Sequence, residues 1–182
     1  MKVNFNKVNL REAWLKKPIL AGRYEPWLIG RGSLTLKLQQ RHSNFLVQPV
    51  CMQYAKPLND EARLLHLKNE QRALVRKVVL ISNNQPVVFA HSVLPRSSLR
   101  GEWCGLSHLG NQSLGATLFA NPKVKRTPLT FKKLSHAHPL FLEAVKHIAY
   151  VPSFLWARRS VFSLHCATIL VTEIFLPCIV EK

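Results

Sequence analysis

Acidic residues are scarce in this chain: nine Asp and Glu stand against 26 Lys and Arg, a formal charge of +17 over 182 residues. Such a field repels cations and selects anions as partners. Glycine is also sparse, at seven residues, and no phosphate-cradling loop, dinucleotide fingerprint or nucleophile elbow is present, which sets aside the common nucleotide-binding and acyl-transfer architectures. The four cysteines, Cys51, Cys104, Cys166 and Cys178, are widely spaced and form no Cys-x-x-Cys pair. Neither a disulfide framework nor a structural metal is expected. The histidines offer no compact ligand spacing; the closest pair, His136 and His138, lies in a loop-like stretch before Pro139 and reads as solvated. The most apolar stretch, 162–180, is interrupted by His165 and Glu173 and ended by Pro177, so no membrane-spanning helix is expected. The first residues, Met1-Lys2-Val3-Asn4-Phe5-Asn6-Lys7, lack the apolar core of a secretory signal, and the expected address is the cytoplasm.

The excess of positive charge leaves open which anion is bound. Basic residues occur throughout the chain, and modest clusters such as Lys123, Lys125 and Arg126, or Lys132 and Lys133, lack the interleaved aromatics of a single-strand platform. No helix-turn-helix, zinc-finger or RNA-recognition signature is visible. Nucleic acid is not the expected partner, although charge alone permits it. Steering of a small carboxylate explains the charge equally well, as does peripheral contact with an anionic membrane.

What is present is enough apolar residue, 47%, for one folded domain. Period-two alternation and turn residues predict strands over 45–52, 73–82, 86–94, 127–134, 160–168 and 168–177, with an Asn83-Asn84-Gln85 turn joining the second and third. Ser33 can cap a helix over 34–40, a short helical or turn element is expected over 59–65, and the apolar spacing over 139–149 suits an amphipathic helix. Residues 1–25, with Arg11, Trp14 and Lys16, read as an arm or short helix ahead of a domain spanning 26–182. Hairpin strands with short helices and no βαβ repeat argue an α+β fold on an antiparallel sheet of about six strands.

Two residues break their surroundings. Glu173 sits in the β-branched, apolar run Ile169-Leu170-Val171-Thr172-Glu173-Ile174-Phe175. Desolvating a carboxylate is costly, so Glu173 requires a cation, hydrogen-bond donors or a proton. Either it ends a structural ion pair or it handles a polar atom of a ligand. In Leu74-Val75-Arg76-Lys77-Val78, alternation sends Arg76 and Lys77 to opposite faces, and one of them meets apolar neighbours. Arg76 is the stronger candidate, because its planar fork grips a carboxylate bidentately and cannot be deprotonated; the alternative is an Arg on the wet face of a half-covered sheet. The glycine-spaced stretch 105–119 could present main-chain N–H groups to a ligand.

Read together, Trp27-Leu28, Ser33-Leu34-Thr35, Leu74-Val75-Arg76-Lys77-Val78-Val79-Leu80, Leu109-Gly110-Asn111-Gln112-Ser113-Leu114-Gly115, Trp156-Ala157-Arg158-Arg159-Ser160 and Leu170-Val171-Thr172-Glu173-Ile174-Phe175-Leu176-Pro177 resemble bacterial chorismate pyruvate-lyases, in order and over 26–177. The resemblance implies a monomeric, cofactor-free enzyme with a six-stranded antiparallel sheet and flaps over a buried site, splitting chorismate into 4-hydroxybenzoate and pyruvate for ubiquinone synthesis. It implies that Arg76 binds the ring carboxylate and that Glu173 meets the oxygen at the other end of the ring. Leu34 matches the flap position and Leu114 a main-chain contact. His91 stands where well-known members carry an Arg after a Gly, and is expected as a pH-dependent second cation of the site. Leu34 replaces a Met, and the segment 135–154 is longer than usual. The competing reading is a non-catalytic effector-type domain binding a small aromatic carboxylate; such domains usually follow a DNA-binding domain, and only about 25 residues precede the matching stretch.

Overall fold

The computed structural model describes residues 13–41 and 44–181. In chain order its helices are α1 (Glu25–Leu28), α2 (Leu34–Arg41), α3 (Asn59–Leu64), α4 (Arg96–Arg100), α5 (Leu114–Ala120) and α6 (Pro139–Ala144). Its strands are β1 (Phe45–Ala55), β2 (Ala73–Ser82), β3 (Gln85–Pro95), β4 (Lys125–Arg126), β5 (Thr130–Leu134), β6 (Leu155–Leu164) and β7 (Ala167–Phe175). All pairings are antiparallel, in the order β1-β2-β3-β7-β6, with β4 and β5 both bonded along the outer edge of β6. Asn83 and Asn84, with φ of 49° and 62°, make the two-residue turn between β2 and β3. Asn tolerates that left-handed backbone, and the turn's twist matches the strands it joins.

Alternation then assigns every strand residue to one of two covered faces. On the first face, Val78, Leu80, Val88, Trp156 and Phe175 pack beneath α1 and α2 through Trp27, Leu28, Leu34 and Leu38. Further along the same face, Leu74, Leu94, Phe162 and Ile169 pack beneath Leu99 of α4 and Leu114 and Leu118 of α5. On the second face, Val79, Phe89, Ala157 and Ile174 meet Leu140, Phe141 and Ala144 of α6, while Ala73, Val93 and Leu170 meet Leu65. Between the apolar patches runs a polar stripe on each face. The second-face stripe follows the register Lys77, His91, Thr172, Arg159 across four strands.

Several expected boundaries shift. β6 begins at Leu155 rather than Ser160 and turns at His165 and Cys166, so Trp156-Ala157-Arg158-Arg159 lies inside the sheet rather than leading into it. Each of the two Arg finds a carboxylate: Arg158 meets Glu173 and Arg159 meets Asp60. α6 stops at Ala144, followed by a 3-10 turn at Val145–His147, and β5 starts at Thr130, after Pro128, which has no N–H for the ladder. His138 Nδ1 accepts from Leu140 N as the N-cap of α6, and the His136 ring packs edge-on against Phe141. Of the N-terminal arm, Leu15 exchanges backbone hydrogen bonds of 2.7 and 2.8 Å with Phe131 at the edge of β5; residues 1–12, including Arg11, lie outside the described residues. Among the described residues no helix is long and apolar enough to cross a membrane, and no group of three His, Cys, Asp or Glu could hold a metal ion.

Candidate active site

The polar stripe of the first face is roofed by the first turns of α2 and α5. A narrow cavity lies between roof and sheet, with about 40 Å³ of free space, and Leu34, Arg76, Leu114, Arg126 and Glu173 are among the residues that line it. A cavity of about 150 Å³ is needed for benzene, so a ring-sized ligand requires the roof to move. Leu34 and Leu114 occupy equivalent places, each the first residue of its helix and each buried. Ser113 caps α5 by accepting from Ala116 N at 3.1 Å, and it donates to Thr35 Oγ1 of α2 at 2.8 Å. The two roof helices are thereby tied at their starts.

Arg76 rises from β2 into this cavity, 3% exposed. Its Nη2 donates to the carbonyls of Gly110 and Gln112 at 3.0 and 2.8 Å, while Nε is buried with no partner. Among the described residues no carboxylate lies within ion-pair distance of it. Burial pushes its pKa down, yet a guanidinium stays charged in proteins. A buried cation satisfied only by carbonyl dipoles lacks its counter-charge and can accept an anion bidentately. The glycine-spaced loop also contributes in a way the sequence did not suggest: the carbonyls of Gly110 and Gln112 point inward to hold Arg76.

Glu173 faces the same cavity from β7. Its Oε2 accepts from Arg158 Nε at 2.5 Å. Arg158 is 1% exposed, and its Nη1 also donates to the carbonyls of Trp27, Leu28 and Gly30 at 2.8, 3.2 and 2.8 Å. The last carbonyls of a helix lack intrahelical donors, so Arg158 joins the end of α1 to the Glu173 carboxylate. Glu173 thus ends an ion pair, as the first reading has it, and it also lines the cavity, where Oε1 accepts no hydrogen bond from a described residue.

The fifth expected residue does not join them. His91 pairs in register with Lys77, not Arg76, and its side chain lies on the second face. There Nε2 stands 3.1 Å from Glu61 Oε1 of α3, close enough for an ion pair but not aligned as a hydrogen bond. Sheet parity excludes it from the cavity. The second cation lining the cavity is instead Arg126 of β4, half-buried. Arg126 Nε donates to Ser160 Oγ at 2.7 Å and Nη1 to the Arg31 carbonyl at 2.8 Å, and the guanidinium lies 5.0 and 5.4 Å from the Phe162 and Phe119 ring centres. Burial pushes its pKa down to about 10; nearby Glu173 opposes that and Arg158 adds to it. In sequence Arg126 belonged to a solvated-looking basic run, and a strand of two residues leaves no periodicity to reveal it.

The family model described as chorismate lyase matches residues 11–182. A probable chorismate pyruvate-lyase of Nitrosomonas europaea is 51% identical over 174 residues, covering 95% of this chain and 98% of that protein. One of Nitrosospira multiformis is 52% identical over 163 residues, covering 89% and 91%. Among solved structures, the effector domain of PhnF from Mycobacterium smegmatis superposes with a TM-score of 0.58 at 16% identity, covering 82% of this chain and 91% of that one. A GntR-family transcriptional regulator from Bacillus cereus gives 0.55 at 13%, covering 73% and 92%. At such identities these two likenesses speak to the fold alone. The family match and the close relatives span nearly the whole chain, roof and cavity included, and the chain belongs to the chorismate lyase family.

Proposed function

We infer that this chain is a chorismate pyruvate-lyase, converting chorismate to 4-hydroxybenzoate and pyruvate and so feeding ubiquinone synthesis. Family membership over nearly the full length carries the reaction, and the cavity suggests how it is done. Arg76 takes the ring carboxylate, whose charge replaces the counter-ion that the protein withholds from it. Glu173, held by Arg158, receives the 4-oxygen at the far end of the ring. Leu34 and Leu114 close over the ring and exclude water.

The chemistry needs no external oxidant or reductant. The C3–O bond to the enolpyruvyl group breaks, C4 gives up its hydrogen, and the ring becomes aromatic. The departing enolpyruvate gains a hydrogen at its methylene carbon and becomes pyruvate. Aromatisation supplies the driving force, which leaves the protein to fold the substrate into a reactive conformation and keep water out. Glu173 contributes by accepting the 4-hydroxyl proton in a hydrogen bond as that oxygen becomes phenolic. The reading includes a monomer acting in the cytoplasm.

Purified protein with chorismate, without added metal or nucleotide, is expected to release the two products in equal amounts. Arg76→Ala is expected to lower kcat/KM by about 2 to 5 kcal/mol of transition-state stabilisation, the usual loss for a buried charge pair. No product together with tight 4-hydroxybenzoate binding would move the chain to the effector-domain class.

A further inference from the structure

The cavity contains one more charge than the binding of a ring carboxylate requires. Glu173 and Arg158 neutralise each other at 2.5 Å. That leaves two guanidiniums lining the cavity, Arg76 buried and Arg126 half-buried, neither within ion-pair distance of a carboxylate among the described residues. Two such cations match a dianion. Chorismate is one, with a carboxylate on C1 and a second on the enolpyruvyl group at C3, next to the C4 oxygen.

We propose that Arg126 binds the enolpyruvyl carboxylate and thereby distinguishes substrate from the ring product. The assignment rests on the lyase reading and on position. With the ring carboxylate on Arg76 and the 4-oxygen at Glu173, the C3 substituent lies beside the Glu173 end of the cavity. Arg126 reaches that end: it bonds Ser160, two residues along β6 from the Arg158 that grips Glu173, and both Arg126 and Glu173 line the cavity. Phe119 and Phe162 flank its guanidinium, and the buried Phe162 ring covers it from the sheet side. Its bond to the Arg31 carbonyl places the same group against the chain leading into α2. After bond cleavage each guanidinium holds one monoanion, 4-hydroxybenzoate on Arg76 and pyruvate on Arg126.

The test compares two ligands that differ in this one carboxylate. In Arg126→Gln, kcat/KM for chorismate is expected to fall about 30-fold or more, while the Kd of 4-hydroxybenzoate, measured by titration calorimetry, stays within about threefold of wild type. Arg126→Lys, which keeps charge without the planar fork, is expected to recover part of the loss. An unchanged kcat/KM in Arg126→Gln, or an equal loss of turnover and of 4-hydroxybenzoate binding, would overturn the assignment, the second by making Arg126 a support of the roof. Wild-type protein gives an independent check that needs no folded variant: pyruvate should compete with chorismate yet bind together with 4-hydroxybenzoate, and mutual exclusion of the two products refutes the proposal. If wild type forms no product from chorismate, the lyase reading itself fails, an outcome distinct from all of these.

Discussion

Replacing Arg158 with Met tests whether the Glu173 carboxylate is held as the geometry indicates. The side chains of Arg158 and Glu173 are 1% and 15% exposed, so the substitution strands a carboxylate with little access to water. It also removes the donor shared by the Trp27, Leu28 and Gly30 carbonyls. Breaking a buried pair from one side costs about 3 to 5 kcal/mol, and at 2–4 °C per kcal/mol for a chain of this size the midpoint of thermal unfolding should drop by about 6 to 20 °C. Glu173→Gln is the contrast. Arg158 keeps three carbonyl partners and meets an amide oxygen in place of the carboxylate, so the loss is about 1 to 3 kcal/mol. Urea unfolding of both single variants and the double variant measures the coupling, and the double should lose less than the sum of the singles. An Arg158→Met midpoint equal to wild type, or a larger loss in Glu173→Gln than in Arg158→Met, would refute the clamp.

Ser113→Ala removes both the cap of α5 and its bond to Thr35; a loss of about 0.5 to 2 kcal/mol is expected, read as faster amide hydrogen exchange in the first turn of α5 with exchange in β2 and β3 unchanged. His91→Ala should leave kcat/KM for chorismate as in wild type but lower stability by about 1 to 3 kcal/mol, because Glu61, 1% exposed, loses the imidazole that stands 3.1 Å from its Oε1; a tenfold fall in activity would return His91 to the cavity. Burial alone would raise the Asp60 pKa, but Arg159, by charge and hydrogen bond, and the Trp14 indole hold it below the ordinary carboxylate range. A depressed folded value means stability present above the unfolded pKa of about 3.9 and lost as pH falls through the folded one. Asp60→Asn should therefore be less stable than wild type at neutral pH, with the gap closing below about pH 4; a gap unchanged in acid would contradict the pairing.

The residues that sequence reasoning reached were those whose neighbours made them costly. Glu173 in an apolar strand demanded a partner, and alternation forced Arg76 or Lys77 inward, whatever the rest of the chain did. The β2–β3 hairpin was legible because its turn is local and its period is two. Arg158 was missed because two adjacent Arg look like a solvated pair, whereas on a strand they point to opposite faces and each finds its own carboxylate, Glu173 at a separation of 15 residues and Asp60 at 99. Distant pairing of that kind leaves no periodic trace. His91 is the instructive error. A two-residue turn at Asn83 and Asn84 alone would set His91 opposite Arg76, on the cavity's face; the register shift between Leu80 and Ile81, which leaves Val87 unpaired, moves His91 opposite Lys77 and Ser92 opposite Arg76, and no period in the sequence shows that bulge.

The paired polar stripes bear on how the domain folds. Because Arg76, Ser92, Glu173 and Arg158 on one face back onto Lys77, His91, Thr172 and Arg159 on the other, the middle of β2, β3, β7 and β6 is polar through its full thickness. The apolar core is accordingly divided into a half around Val79, Phe89, Ile174 and Phe175 and a half around Leu74, Val93, Ile169 and Leu170. Each half can collapse on its own hydrophobic contacts, while the charges between them can be desolvated only when both halves are in place. Folding is then expected to join two cooperative units, with the cavity between Arg76 and Glu173 on their seam.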